Sequence, residues 1–348
     1  MKALTFLDVQ SIGYETISDP MIESPTDVIV KMDHCAICGS DLHIYHGREK
    51  GIDTHTCMGH EFTGEVVEMG HNIKSFSKGD KVVSPFTTAC GSCFYCKIGL
   101  SARCMQNQIY GWKENGVGLQ GAQAEYIRVP LADTTLIDYR PFDLKSEDAI
   151  LAGDIMSTGY FGAKLCAIKP TDVVVIVGCG PVGLLAAFSA VQLGAMKVYS
   201  MDTVEYRLSA AANFGAIPLK LNADTVQLIK DETEGRGADA VIEAVGNESA
   251  QQLAFDLVRP GGIISTIGVH TTDSFVFKPA DVYNKNITYT SGRCPARSLM
   301  PEILPMIANH KKKLSSIFTH KMTLSAGVNA YEIFDKRQEN CIKILLEP

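Results

Sequence analysis

The chain has 348 residues, of which 46% are hydrophobic and 20% charged, and its formal net charge is −7. That length exceeds one ordinary core and predicts two domains, while the acidic balance argues against nucleic acid as a partner. No apolar run approaches the ~18 residues of a membrane span, and the opening "MKALTFLDVQ" lacks the apolar core of a secretion signal, so no membrane partner is expected.

The chain carries 11 cysteines, an odd number. With no secretion signal, this predicts a reducing, cytoplasmic setting, with thiols used for metal rather than disulfides. The basic run Lys311–Lys313 reads as a solvated helix end.

Up to about residue 155 the pattern is one of short strands and turns. "DVIVKMDHCAIC" alternates, "TGEVVEMG" is a strand ending in glycine, and "GDKVVSP" is another. Helical periodicity is weak, which predicts an irregular β-rich domain. Within it, "CGSCFYCKIGLSARC" places Cys90, Cys93, Cys96 and Cys104 in a Cys-x2-Cys-x2-Cys-x7-Cys array. Four thiolates so close suit a closed tetrahedral zinc site, structural rather than catalytic. An iron–sulfur cluster is the alternative ligand for such an array. Gly91 and Gly99 let the chain wrap tightly.

Next comes "LAGDIMSTGY", which is small and apolar apart from Asp154. A lone acid before Ser, Thr and Gly is either a cap or turn residue, or a ligand paired with something that makes burying it worthwhile.

From Thr158 the character changes. "DVVVIVG" is a continuous apolar run, as in a strand buried on both faces, and "PVGLLAAFSAVQLG" is a helix ending at Gly194. "KVYSMD", "EYRLSAAANFGA", "IPLKL", "ADTVQLIKDETEG", "ADAVIEAVG", "SAQQLAFDLVRPGG" and "IISTIGV" continue the β-α alternation. The pattern predicts a doubly wound parallel sheet.

Strand, Gly178-Cys-Gly180-Pro-Val-Gly183 and helix follow in the order of a dinucleotide fingerprint. Asp202 ends the next strand, 19 residues past Gly183. Gly178 makes the tight turn, Gly180 lets the backbone approach a pyrophosphate, and Gly183 allows close helix–strand packing. The helix N-terminus offers free N–H groups to the phosphates. Asp202 can accept both adenosine ribose hydroxyls and repel a 2′-phosphate, and no arginine follows it directly. NAD is therefore expected over NADP. The tail from about Cys294 predicts a helix near Pro301–Ala308 and a final strand, "CIKILLE", that returns to the first domain.

"CAICGSDLHIYHG", "MGHEFTGEVVEMG" and "DIMSTGYFGA", taken with the four-cysteine run and the glycine fingerprint, resemble the zinc-dependent medium-chain alcohol dehydrogenase family over essentially the whole chain. "GDIMSTG" and "YGWKENG" look most like its microbial secondary-alcohol branch, and "GRCPARSLMPEILP" like the branch with formaldehyde dehydrogenases. The resemblance implies a Rossmann sheet plus a β-rich GroES-like catalytic domain. The boundaries are expected at 1–155, 156–293 and a return segment 294–348.

By position, the resemblance implies that Cys38, His60 and Asp154 ligate a catalytic zinc, with Glu61 an alternate or nearby ligand. Asp41 would orient His60, Ser40 would bond the reacting oxygen, and His43 would pass the proton outward through the cofactor ribose. Thr158, Val182 and Val269 would face the nicotinamide. Cys35 and Cys57 match no ligand and read as small buried hydrophobes. Many members carry a basic residue after the first zinc cysteine, where this chain has Gly39; Lys343 is then a candidate for the pyrophosphate. Trp112 would line the substrate pocket and Arg293 would contact cofactor or substrate.

The resemblance implies two zinc ions per chain, NAD, a small alcohol or carbonyl substrate, and a homotetramer or homodimer. The alternatives are a formaldehyde, polyol or amino-alcohol dehydrogenase on the same scaffold, and a non-enzymatic zinc- and NAD-binding sensor.

Overall fold

The computed structural model describes residues 1–272 and 274–348. The chain divides into two compact units, one of residues 1–157 and 295–348, the other of residues 158–294. The sequence reading set the boundaries at 155/156 and 293/294. The first unit boundary falls inside the helix Ile155–Leu165.

The second unit is a six-stranded parallel sheet. Its central strand, Val173–Val177, is buried along its whole length, which is why it is apolar without alternation. It lies between Lys197–Asp202 and Ala238–Glu243. Ile217–Lys220 extends one side, and Val258–Thr266 then Thr288–Ser291 the other. Sequence order reverses at the central strand, the position where doubly wound sheets bind ligands at the carboxyl ends of their strands.

The first unit is built on a seven-stranded mixed sheet. Val28–Ile37 pairs antiparallel with Phe62–Met69 and with the terminal strand Lys343–Glu347. The tail does return to this unit, through a longer path than the sequence suggested. The helix Ala296–Leu314 runs past the expected Pro301–Ala308, with both prolines inside it and a non-helical residue at His310. The strand Phe318–Thr323 and the helix Gly327–Asp335 follow. Among the described residues no helix is long and apolar enough to cross a membrane.

Candidate metal centre and cofactor site

Three loops of the first unit converge behind the strand Val28–Ile37. Cys38 follows that strand, His60 precedes Phe62–Met69, and Asp154 sits where the short 3-10 turn Ile150–Gly153 gives way to the helix Ile155–Leu165. All three are buried. Asp154 Oδ2 lies 3.3 Å from Cys38 Sγ and 3.1 Å from His60 Nε2. Ser40 Oγ is on the same face, 3.2 Å from His60 Nε2.

On the other side of the ring, His60 Nδ1 is 3.1 Å from Asp41 Oδ1. A carboxylate accepts only, so Nδ1 donates to Asp41, and with a cation in the cluster Nε2 would be the nitrogen that offers its lone pair.

Burial opposes protonation of His60, but Asp41 and Asp154 outweigh it and push its pKa well up. Burial and then Asp154 push the Cys38 thiol up. Burial would raise Asp154, yet the hydrogen bond from His60 brings it below the usual carboxylate range. The cluster thus crowds three potential metal donors into a buried place, where a cation would offset the cost of their burial. One sulfur, one imidazole nitrogen and one carboxylate oxygen within 4.8 Å of each other fit a zinc site with three protein ligands and a fourth position open.

The second cluster is Cys90, Cys93, Cys96 and Cys104, whose sulfurs also lie within 4.8 Å of one another. Four sulfurs about 2.3 Å from a central zinc would fit that spacing. Gly91 turns the chain at φ +68°, and a Cβ there would meet Thr134 at 2.9 Å. Backbone N–H groups of Cys90 and Gln106 donate to Cys104 Sγ at 3.2 and 3.3 Å. Burial would raise the Cys90 thiol, but hydrogen bonds from Ser92 and Cys93 bring it down to about 6, so one sulfur of the lobe is readily a thiolate.

In the second unit, Gly178 takes φ +97° at the end of the central strand. Gly183 is obligatory, since a Cβ there would lie 1.8 Å from the Gly178 carbonyl oxygen. The helix Pro181–Gln192 then begins, with its N-terminus on the loop. Asp202 is held by its own surroundings: Oδ2 accepts the Cys179 N–H at 2.8 Å, and Oδ1 accepts those of Thr203 and Val204 at 2.8 and 3.0 Å. Of about four acceptor positions on a carboxylate, three are taken.

The sequence profile described as "Alcohol dehydrogenase GroES-like domain" matches residues 24–139, and that described as "Zinc-binding dehydrogenase" matches residues 181–309. "Zinc-type alcohol dehydrogenase B" of Aspergillus flavus is 41% identical over 344 residues, covering 96% of this chain and 79% of that protein. The chain belongs to the zinc-dependent medium-chain alcohol dehydrogenase family.

Among solved structures, "Alcohol dehydrogenase TADH" from Thermus sp. ATN1 is 36% identical with a TM-score of 0.92, over 100% of this chain and 99% of that one. "Zinc dependent alcohol dehydrogenase 2" from Streptococcus pneumonia is 34% identical with a TM-score of 0.90, over 100% and 98%. The protein is therefore a zinc-dependent oxidoreductase.

Lys343 stands elsewhere in this dehydrogenase than the sequence suggested. Lys343 does not serve a phosphate. It is fully buried in the terminal strand and its Nζ is paired with Glu61 Oε2, because the strand register sets Ile344 opposite Ile37, next to the metal loop. Among the described residues, Glu61 is correspondingly absent from the three-atom ligand group, and its Oε1 is buried without a hydrogen-bond partner.

Trp112 is half-buried on the hairpin Trp112–Leu119. It lines an open hollow of ≈ 570 Å³ with Gln108, Val117 and Gly118, in which Cys38, His60 and Asp154 take no part. Arg293 is exposed just beyond the strand Thr288–Ser291. Thr158 is half-buried in the helix Ile155–Leu165, Val182 is half-buried in the first turn of the helix Pro181–Gln192, and Val269 is exposed after Val258–Thr266. Cys35 and Cys57 are fully buried, as small hydrophobes.

Two residues were missed. Arg207, five beyond Asp202, places Nη1 4.0 Å from where a Gly180 Cβ would be, and its Nε is buried without a partner among the described residues. No arginine follows Asp202 directly, but Arg207, on the helix Glu205–Asn213, reaches the glycine loop. Gln123 is the other. It lies in a stretch with no recognisable pattern, and only the fold brings it to Asp41, 3.2 Å from Oδ2.

Proposed function

We propose that this dehydrogenase oxidises a small primary or secondary alcohol reversibly to the aldehyde or ketone with NAD, and holds two zinc ions per chain. One ion would sit at Cys38, His60 and Asp154, the other in the four-cysteine lobe. The observation carrying this reading is the three-ligand cluster with the Ser40 hydroxyl on its open face.

Bound there, zinc would supply Lewis acidity, which can lower the pKa of a bound water from about 16 to about 7. Ser40, its Oγ 3.2 Å from His60 Nε2, would take the hydroxyl proton of the substrate and pass it on. His43, on the short helix Asp41–Tyr45, would be the next acceptor; its Nδ1 is buried with no partner among the described residues. Burial, and after it Arg48, holds His43 below the ordinary histidine range, so the ring stays neutral and able to accept a proton. The loop of Gly178, Gly180 and Gly183 would hold NAD, which would supply the hydride-acceptor chemistry.

NAD is favoured because the Asp202 carboxylate would lie where a 2′-phosphate would come. Arg207 is the cation that would serve that phosphate once Asp202 is gone. The test is nicotinamide reduction at 340 nm over a panel of alcohols, polyols and formaldehyde, with NAD and NADP, on the parent and Asp202→Gly. The reading expects turnover of small alcohols, NAD preferred by the parent, and a preference narrowed by about tenfold or reversed in the variant. No turnover of any alcohol, or an unchanged cofactor ratio, would contradict it.

A further inference from the structure

Asp41 has more to do than hold His60. Its Oδ1 faces His60 Nδ1 at 3.1 Å, and its Oδ2 accepts two bonds, from the Cys38 backbone N–H at 2.9 Å and from Gln123 Nε2 at 3.2 Å. One carboxylate therefore ties together the loops of two metal ligands, with Gln123 as its third anchor.

The orientation of the Gln123 amide follows from its surroundings. Nε2 faces two acceptors, the Ala36 carbonyl at 3.1 Å and Asp41 Oδ2, so the NH2 group must lie on that side. Oε1 accepts from the Tyr331 hydroxyl at 2.8 Å. Remove that hydroxyl, and Oε1 is left buried without its donor, so that only the two acceptors on Nε2 still hold the amide. Turned over, it would set an oxygen against the Asp41 carboxylate.

Gln123 is 0% exposed, Tyr331 1% and Asp41 2%. Water cannot substitute for any link, so each lost bond leaves a buried polar group unpaired. Tyr331 stands on the helix Gly327–Asp335, whose Asp335 also bonds His46 Nε2 at 2.7 Å. The Tyr331 ring lies 5.8 Å from that of Tyr45, at the end of the short helix that begins with Asp41.

We propose that Gln123 and Tyr331 are positioning residues of the metal centre, forming with Asp41 a buried hydrogen-bond relay that fixes the ring and tautomer of His60 towards the ion. The inference rests on the reading of Cys38, His60 and Asp154 as a zinc site. A direct outer partner of a metal ligand is worth roughly 10–100-fold in metal affinity or activity. Gln123 and Tyr331 act one and two bonds further out, so a smaller effect is expected, confined to this ion.

The experiment is release of zinc to excess dipicolinate from the purified full chain, comparing parent, Tyr331→Phe and Gln123→Met. The parent should release zinc in two phases, one for each cluster, assigned with Cys90→Ser. Both variants should speed the phase of the Cys38–His60–Asp154 ion, by about 3- to 10-fold, and leave the lobe phase unchanged. The visible spectrum of cobalt(II) exchanged into that site should change in the same variants. A purely structural role predicts lower thermal stability with the release rate and the cobalt spectrum of the parent, and that result would overturn the relay. A parent holding only the lobe ion would instead refute the zinc-site reading on which the relay depends.

Discussion

The two sulfur-bearing clusters of the first unit make opposite uses of the chain. The lobe takes four cysteines from 15 consecutive residues, three of them partly exposed, and backbone N–H groups steady the sulfurs. The triad draws residues 38, 60 and 154 from three elements, buries all of them, and surrounds them with Asp41, Glu61 and Lys343. A loop is enough to build a closed tetrahedron. An open site needs a fold, because the groups that keep ligands in place without filling the fourth position come from elsewhere in the chain.

The largest effect should come from breaking the lobe. Cys90→Ser removes one of four thiolates, and loss of a structural metal belongs with the most damaging substitutions, on the order of 5 kcal/mol. Thermal unfolding should show the loss while the folded fraction keeps the triad ion and its activity per ion. Inactivation of the folded fraction would mean the two clusters are not separate in function.

Lys343→Met attacks the surroundings of the triad instead. It leaves Glu61 buried without its partner, for which about 3–5 kcal/mol is expected. Adding Glu61→Gln should restore most of that in denaturant unfolding. A single variant as stable as the parent would show that the pair carries no weight.

The smallest effect is on pH dependence. Burial lowers the His43 pKa below its ordinary 6.5, so the unfolded chain takes this proton first as pH falls. Its stabilising contribution is complete above about 6.5 and is lost as pH falls towards the folded value. The acid limb of kcat/KM should accordingly lie below pH 6.5 in the parent and be missing from His43→Gln. An identical limb in both would remove His43 from the proton path.

The same contrast explains what was legible in the sequence. The lobe, the glycine loop and the buried central strand could be read because spacing and composition encode them locally: Gly183 has no room for a Cβ, and Val173–Val177 is buried throughout. Asp154 could not be decided from its own segment, where an acid before Ser and Gly looks like a cap; the family resemblance singled it out. Lys343 was misread because the register of the terminal strand, which points it at Glu61, is a tertiary fact. Gln123 and Arg207 left no local signal, one being an amide in an irregular stretch and the other an arginine on an ordinary helix.

Zinc content and activity measured on one folded variant, Asp154→Ala, test the account most directly. The variant keeps Cys38 and His60, too few to retain the ion, while the lobe keeps its own. The account predicts a fall from two zinc ions per chain to one, with activity reduced by more than the roughly 10–100-fold of an outer-partner mutation. Two ions per chain with near-parental activity, and stability lower by only about 1 kcal/mol, as for a lost helix cap, would contradict it.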